Sequence, residues 1–273
     1  MIVAGAAVQG TAHLARGQGC QDAFKAVDLG ATAVLAVADG AGGRERSALG
    51  AHIAVDAACR TLVEDIPEAG DAPEAWTGWI ATAGARVVRD YRRAVEGVLS
   101  AAGDPSEPVD AGALAATLAA AVVRPPWTAF LSVGDCFGTV LTREPDGSGP
   151  AREARERCHL VLPPPAPGAP ETLFLSSPGA ALRLRTFVVW EPRLSGVVLA
   201  TDGCAALTLD HPSVRELPAE AGPLPSERFF CGLAATLRAN GGDAAPLRTL
   251  LSGPGAARTG DDLTVLCALT DGR

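Results

Sequence analysis

The sequence predicts an α+β fold built on antiparallel sheets. Three observations carry that expectation. Apolar runs of strand length recur along the chain, helical periodicities fall between them in pairs, and the strands come in blocks rather than alternating one for one with helices.

The first clear strand is residues 31–38 (ATAVLAVA). It is apolar throughout and stops at Asp39-Gly40, the pattern of a strand buried on both faces. The period then changes. Leu49, Ile53, Ala54, Ala57, Ala58 and Leu62 recur at helical spacing behind Ser47, a candidate cap. A second helix is announced by Asp71-Ala-Pro-Glu74, a capping-box pattern with Pro in the first turn. Trp76, Trp79, Ile80, Ala83, Val87 and Tyr91 line its inner face.

Residues 103–108 (GDPSEP) break the chain. Strands are expected at 118–123, 129–133 and 137–141, the first two separated by Pro125-Pro126. A polar loop is expected at 144–157 and an extended surface connector at 162–170 (LPPPAPGAP). Further strands are expected at 172–175, 184–190 and 197–200. A helix at 226–240 is stopped by Gly241-Gly242, and a last strand covers 263–269. No internal repeat or second hydrophobic unit interrupts the 273 residues, so one domain over 1–273 is expected.

Composition narrows the function. Hydrophobic residues reach 48%, enough for a large core. The net charge is −8 with no basic stripe, which argues against nucleic acid as a partner. No apolar run has membrane-spanning length and the first residues carry no basic segment, so a cytoplasmic protein without membrane partners is expected. The seven cysteines are odd in number and form no CxxC pair. Neither a zinc site nor a disulfide framework is expected, and a reducing compartment fits.

The informative pattern is the placement of aspartates. Val37-Ala38-Asp39-Gly40 and Ala200-Thr201-Asp202-Gly203 each end an apolar strand in Asp-Gly. Val133-Gly134-Asp135 repeats the theme, Gly260-Asp261-Asp262 mirrors it before a strand, and Gln21-Asp22 follows a Gly-rich stretch. Any one Asp-Gly alone is turn chemistry, with glycine supplying positive φ. Several at strand edges of one chain are different. Carboxylates gathered at one edge repel each other unless cations lie between them, and oxygen-only ligands suit Mg²⁺ or Mn²⁺.

The ordered set QDA (21–23), VADGAGG (37–43), VGD (133–135), ATDG (200–203) and GDDLTVL (260–266) resembles the type 2C metal-dependent protein serine/threonine phosphatases, in particular their compact bacterial branch. The resemblance implies a two-sheet antiparallel β-sandwich flanked by helix pairs, a four-layer αββα arrangement. It also implies hydrolysis of phosphoserine or phosphothreonine on proteins by water activated on two Mn²⁺ or Mg²⁺ ions, with a third ion in bacterial members. Phosphorylated proteins would be the substrates, opposing a Ser/Thr kinase.

Carried over residue by residue, Asp39 is the carboxylate shared by two ions and the Gly40 carbonyl a ligand of the second. Asp202 and Asp261 complete the first ion's set. Asp22 acts through water, and Asp135 with Asp202 holds the third ion. The chain departs from the pattern in four places. Gln21 stands where many members have Glu, and Gly17 where the phosphate-binding Arg falls. Ala41 stands where some members have a His, and Cys136-Phe137 replaces a Ser-Arg pair. Arg16, Arg44 and His13 are the remaining candidates for phosphate contact. These departures keep two other readings open: a phosphoprotein-binding scaffold on the same fold, and a phosphatase of a small phosphorylated molecule.

Overall fold

The structure is a computed structural model that describes residues 1–102, 110–144, 155–165 and 172–270. In chain order the elements are β1 (Ile2–Val8), α1 (Thr11–Ala15), β2 (Asp22–Asp28), β3 (Ala33–Asp39), α2 (Ser47–Leu62) and α3 (Pro73–Ala102). Then come β4 (Leu118–Arg124), β5 (Trp127–Val133), β6 (Phe137–Arg143), β7 (Glu156–Leu162), β8 (Arg185–Trp190) and β9 (Leu194–Ala200). The chain ends with α4 (Ala205–Thr208), β10 (Leu209–Asp210), β11 (Leu224–Pro225), α5 (Glu227–Ala239), α6 (Ala245–Leu251) and β12 (Leu263–Leu269).

Two five-stranded sheets carry the fold, ordered β1-β12-β9-β6-β7 and β2-β3-β4-β5-β8, and every pairing is antiparallel. Helices α2 and α3 cover the outer face of the second sheet, while α5 and α6 cover the first. This is the α+β arrangement with four layers.

Alternation along the strands explains the layering. In β3, Val34, Ala36 and Ala38 enter the core shared with α2 and α3, while Ala33, Leu35 and Val37 enter the core between the sheets. β4 divides the same way, with Leu118, Ala120 and Val122 on one side and Ala119, Ala121 and Val123 on the other. A strand that must be apolar on both faces reads as a continuous run, which is why residues 31–38 were legible. Between the sheets, Phe130 and Phe187 stack with centroids 5.0 Å apart.

Helix α2 follows the expected periodicity but with a shifted inner face. Leu49 is exposed, and Gly50, Ala51, Ala54, Ala57 and Ala58 are buried. Small residues let the helix approach closely: a Cβ at Gly50 would lie 2.0 Å from the Leu114 carbonyl oxygen. Ser47 is not the cap but the first helical residue, its hydroxyl donating to the Arg44 carbonyl. In α3, Trp76, Ile80, Ala83, Val87 and Tyr91 are buried as expected, and Trp76 stacks on Trp127. Asp71 accepts the Glu68 N–H, closing the turn before the helix.

Pro125-Pro126 forms the turn between β4 and β5, where Arg124 pairs with Trp127. The segment expected as a strand at 172–175 is irregular instead. The Phe174 N–H donates to Ser177 Oγ and the Leu175 N–H to the Ala116 carbonyl, while the Arg92 guanidinium binds the carbonyls of Leu175 and Ser177. Its backbone groups are satisfied by local and side-chain partners rather than by a ladder. The expected polar loop at 144–157 ends early, because β7 begins at Glu156. The break at 103–108 and most of the connector at 162–170 lie outside the described residues.

Candidate active site

The aspartates singled out in the sequence come from both sheets and meet at one end of the sandwich. Asp22 opens β2 and pairs in register with Asp39, which closes β3. Asp202 follows β9, and Asp261 precedes β12, the strand hydrogen-bonded to β9. Asp135 sits in the turn that carries the chain from β5 in one sheet to β6 in the other.

A cleft of about 220 Å³ opens there, walled by His13, Gln21, Asp39, Gly40, Asp135 and Asp202, together with Asp261, Thr172 and Phe174. Asp22 lies behind this wall: it is buried, and Thr201 Oγ1 donates to its Oδ2 at 2.8 Å. Arg16 and Arg44 are exposed and do not line the cleft, whereas His13 does.

The glycines beside these acids have two distinct reasons. Gly134 and Gly260, which precede Asp135 and Asp261, adopt φ of 97° and 78°. Gly40 and Gly203, which follow Asp39 and Asp202, are not in the left-handed region. They permit close approach instead. A Cβ at Gly40 would lie 2.6 Å from the Ser47 carbonyl, and one at Gly203 would lie 2.1 Å from the Asp262 carbonyl oxygen. The turn-chemistry expectation therefore fails at the two Asp-Gly steps. There, glycine lets neighbouring loops interlock under the acids.

The electrostatics follow from burial and crowding. Burial raises the Asp39 carboxyl to about 10, helped by Asp22, Asp202, Asp261 and Asp135. Burial likewise lifts Asp202 to about 6, with Asp135 and Asp261 adding to it. Asp22 is raised by burial, against the hydrogen bond from Thr201 that favours its charged form. Asp135 Oδ1 and Gln21 Oε1 are buried without a hydrogen-bond partner. Oxygen atoms left in this condition at the wall of an anionic cleft suit a hard divalent cation. The carboxylates are not drawn together: among the described residues, no three His, Cys, Asp or Glu groups are gathered as a ready ligand set.

Several supporting residues gave no functional signal in the sequence. Arg185 donates from Nε to Ser132 Oγ at 3.0 Å and from Nη2 to the Gly134 carbonyl at 3.2 Å, anchoring the turn that bears Asp135. Thr172 Oγ1 donates to Asp135 Oδ2 at 2.8 Å and fixes that carboxylate's orientation. Asp262, read only as part of an acidic pair, ties Gly10 and Gln21 to the β12 end of the site through its two oxygens. Cys136 and Cys204, close to the acids in sequence, are buried packing residues. Cys136 Sγ lies 3.2 Å from Thr117 Oγ1, and Cys204 Sγ donates to the Thr264 carbonyl.

The sequence profile of the family described as Protein phosphatase 2C matches residues 9–252. A search of curated proteins finds no match. Solved structures share the fold over the whole chain. A serine-threonine phosphatase 2C from Toxoplasma gondii aligns at 13% identity and TM-score 0.57, covering 99% of this chain and 95% of that one. A serine/threonine phosphatase from Staphylococcus aureus aligns at 12% and 0.54, covering 100% and 96%. One from Mycobacterium tuberculosis aligns at 15% and 0.53, covering 99% and 100%.

Proposed function

The chain belongs to the protein phosphatase 2C family, and from that premise we propose that its acidic cleft hydrolyses phosphoserine and phosphothreonine on proteins with the help of divalent cations. The observation that carries this reading is the convergence of Asp39, Asp135, Asp202 and Asp261, from the strand ends of both sheets, on one cleft. A fold that only needed stability gains nothing from such a group, since each buried carboxylate raises the cost of ionising the others.

The donor set fits Mn²⁺ or Mg²⁺. Asp39 would be shared between two ions, with Asp202 and Asp261 on the first and the Gly40 carbonyl on the second. Asp135 with Asp202 would hold a third, and Asp22 would act at one remove through water. Bound there, such ions supply Lewis acidity, which acidifies water near neutral pH and offsets charge on phosphoryl oxygens.

The chain's own residues do the rest. Thr172 holds Asp135 Oδ2 by a hydrogen bond, while Oδ1 is without a hydrogen-bond partner. Gln21 offers Oε1 to the cleft as an uncharged acceptor. Thr201 accepts the Thr264 N–H while donating to Asp22, so the ends of β9 and β12 are pinned to the start of β2. Phe174 gives the wall its apolar part. With Ala41 beside Asp39-Gly40, no side chain at that position can protonate the leaving oxygen, and the proton comes from water.

The seven free cysteines, five of them buried, suit a reducing compartment, and we place the enzyme in the cytoplasm opposing a Ser/Thr kinase. Among the described residues no helix is long and apolar enough to cross a membrane. The whole chain acts as one catalytic unit in this reading.

The test is phosphate release from phosphoserine and phosphothreonine peptides with and without added Mn²⁺ or Mg²⁺. Turnover that requires the metal and stops with chelator is expected. Turnover confined to small phosphorylated molecules would move the substrate class. No turnover with any divalent metal, on peptides or an aryl phosphate, would leave a phosphoprotein-binding module.

A further inference from the structure

Asp262 and His13 have no part in the scheme above, yet they form a buried polar pair beside the cleft. Asp262 is 2% exposed, holds two backbone groups by hydrogen bonds and stands at ion-pair distance from a third group. Its Oδ1 accepts the Gly10 N–H at 2.6 Å, its Oδ2 accepts the Gln21 N–H at 2.5 Å, and the same Oδ2 stands 2.9 Å from His13 Nδ1. The helix bearing His13 is docked on the same loop. The Ala12 N–H donates to the Gly260 carbonyl, and a Cβ at Gly10 would lie 2.3 Å from the Asp261 carbonyl carbon.

His13 itself is 9% exposed and lines the cleft beside the four aspartates. Its Nδ1 is at ion-pair distance from Asp262 but makes no aligned hydrogen bond. Among the described residues whose side chains line the cleft, His13 alone can carry positive charge. A phosphate ester brought among four aspartates needs a donor of opposite sign. A carboxylate beside Nδ1 orients the imidazole, and a ring N–H is a donor that can face a phosphoryl oxygen.

Resting on the phosphatase reading of this cleft, we infer that His13 contacts the substrate phosphate in place of an arginine and that Asp262 is the positioning residue that orients it. Because Asp262 also fixes the Gln21 backbone, it sets two cleft-lining side chains from one buried carboxylate.

The test uses the full chain with Mn²⁺ and an aryl phosphate. His13→Gln is expected to raise KM about tenfold while kcat changes little, the pattern of lost ground-state binding. His13→Arg is expected to recover most of that loss. Asp262→Asn keeps one acceptor but loses the charge. It is expected to raise KM in the same direction, and the double variant with His13→Gln should be no worse than Asp262→Asn alone, since the loss of the oriented imidazole is already contained in it.

A second readout does not depend on turnover. In protein carrying isotope-labelled histidine, the His13 ring signal, identified by its absence in His13→Gln, should shift on titration with inorganic phosphate. Wild-type turnover with KM unchanged in His13→Gln would overturn the inference and leave the phosphatase reading intact. An inactive wild type would sink that reading, and the phosphate titration would then decide: a shift supports the His13 contact and a static signal refutes it. If Asp262→Asn does not fold, His13→Gln, His13→Arg and the titration carry the test alone.

Discussion

Replacing Asp39 by Asn should act with opposite sign on the metal-free and metal-loaded protein. The carboxylate is part-buried, faces Asp22, Asp202, Asp261 and Asp135, and accepts no hydrogen bond among the described residues. Burial and those neighbours lift its carboxyl from 3.8 to about 10. A raised carboxyl favours the folded state fully only below its ordinary value. That advantage drains away as pH climbs from 3.8 toward the folded value. Keeping such a group protonated at pH 7 costs at most about 4 kcal/mol. The cleft is open to water, which screens part of this, so a gain of about 1–2 kcal/mol is expected for the neutral amide. In chelator at pH 7, Asp39→Asn should therefore melt a few degrees above wild type, at about 2–4 °C per kcal/mol for a chain of this size. The difference should shrink toward pH 4. With Mn²⁺ the order should reverse. Saturating ligand at 100 times its Kd stabilises a protein by about 2.7 kcal/mol, and the variant should lose most of that along with its turnover. Melting by calorimetry across pH, with and without Mn²⁺, checks both halves. An Asn variant less stable than wild type in chelator, or stabilised by Mn²⁺ as much as wild type, would refute the reasoning.

Four further outcomes are expected. Gly203→Ala should cost at least about 2 kcal/mol and most activity, because its Cβ would sit 2.1 Å from a backbone oxygen of the Asp262 loop. Gly78→Ala on the exposed face of α3 meets nothing within 4 Å and should stabilise by about 0.5–1 kcal/mol in denaturant titration. Phe130→Ala, emptying the stack with Phe187 between the sheets, should cost about 3–5 kcal/mol by the same measurement. Thiol reagents at neutral pH should react slowly with the native protein and leave turnover unchanged. Burial pushes Cys20 and Cys59 up to about 12, so little thiolate forms, and all seven should react after unfolding.

What the sequence disclosed about the fold depended on where each strand lies in its sheet. β3, β4, β5, β6, β9 and β12 each have a neighbour on both sides. The two-faced strands β3 and β4 are the continuous apolar runs. The strands of the two main sheets that escaped notice, β1, β2 and β7, are all edges, and the two-residue β10 and β11 escaped it too. β7 reads Glu-Arg-Cys-His-Leu-Val-Leu, and its charged half is satisfied by distant partners: Glu156 by Arg238, and Arg157 by Glu144 and Glu227. Charges of this kind protect an edge from pairing with another chain, and they also erase the alternation by which a strand is recognised. β8, the remaining edge, was legible because Thr-Phe-Val-Val-Trp keeps β-branched and aromatic residues.

The site was legible for a related reason. Its acids terminate or flank the most apolar strands, so each stood out against a run of Val, Ala and Leu. The residues that orient those acids had no such contrast. Arg185 is one arginine among many in the sequence, and its role exists only because β8 lies beside β5, bringing its guanidinium to Ser132 and Gly134. Thr172 reaches Asp135 from a segment with no regular structure. Asp262 was visible as an acid but not as a buried one. Its ligands, Gly10 and Gln21, are more than 240 residues away in sequence and meet it only because β1 pairs with β12 and the two sheets pack face to face. Periodicity and local turn chemistry report what a residue does to its own strand. The groups that aim the aspartates act across sheets, and so they become visible only when the sandwich closes.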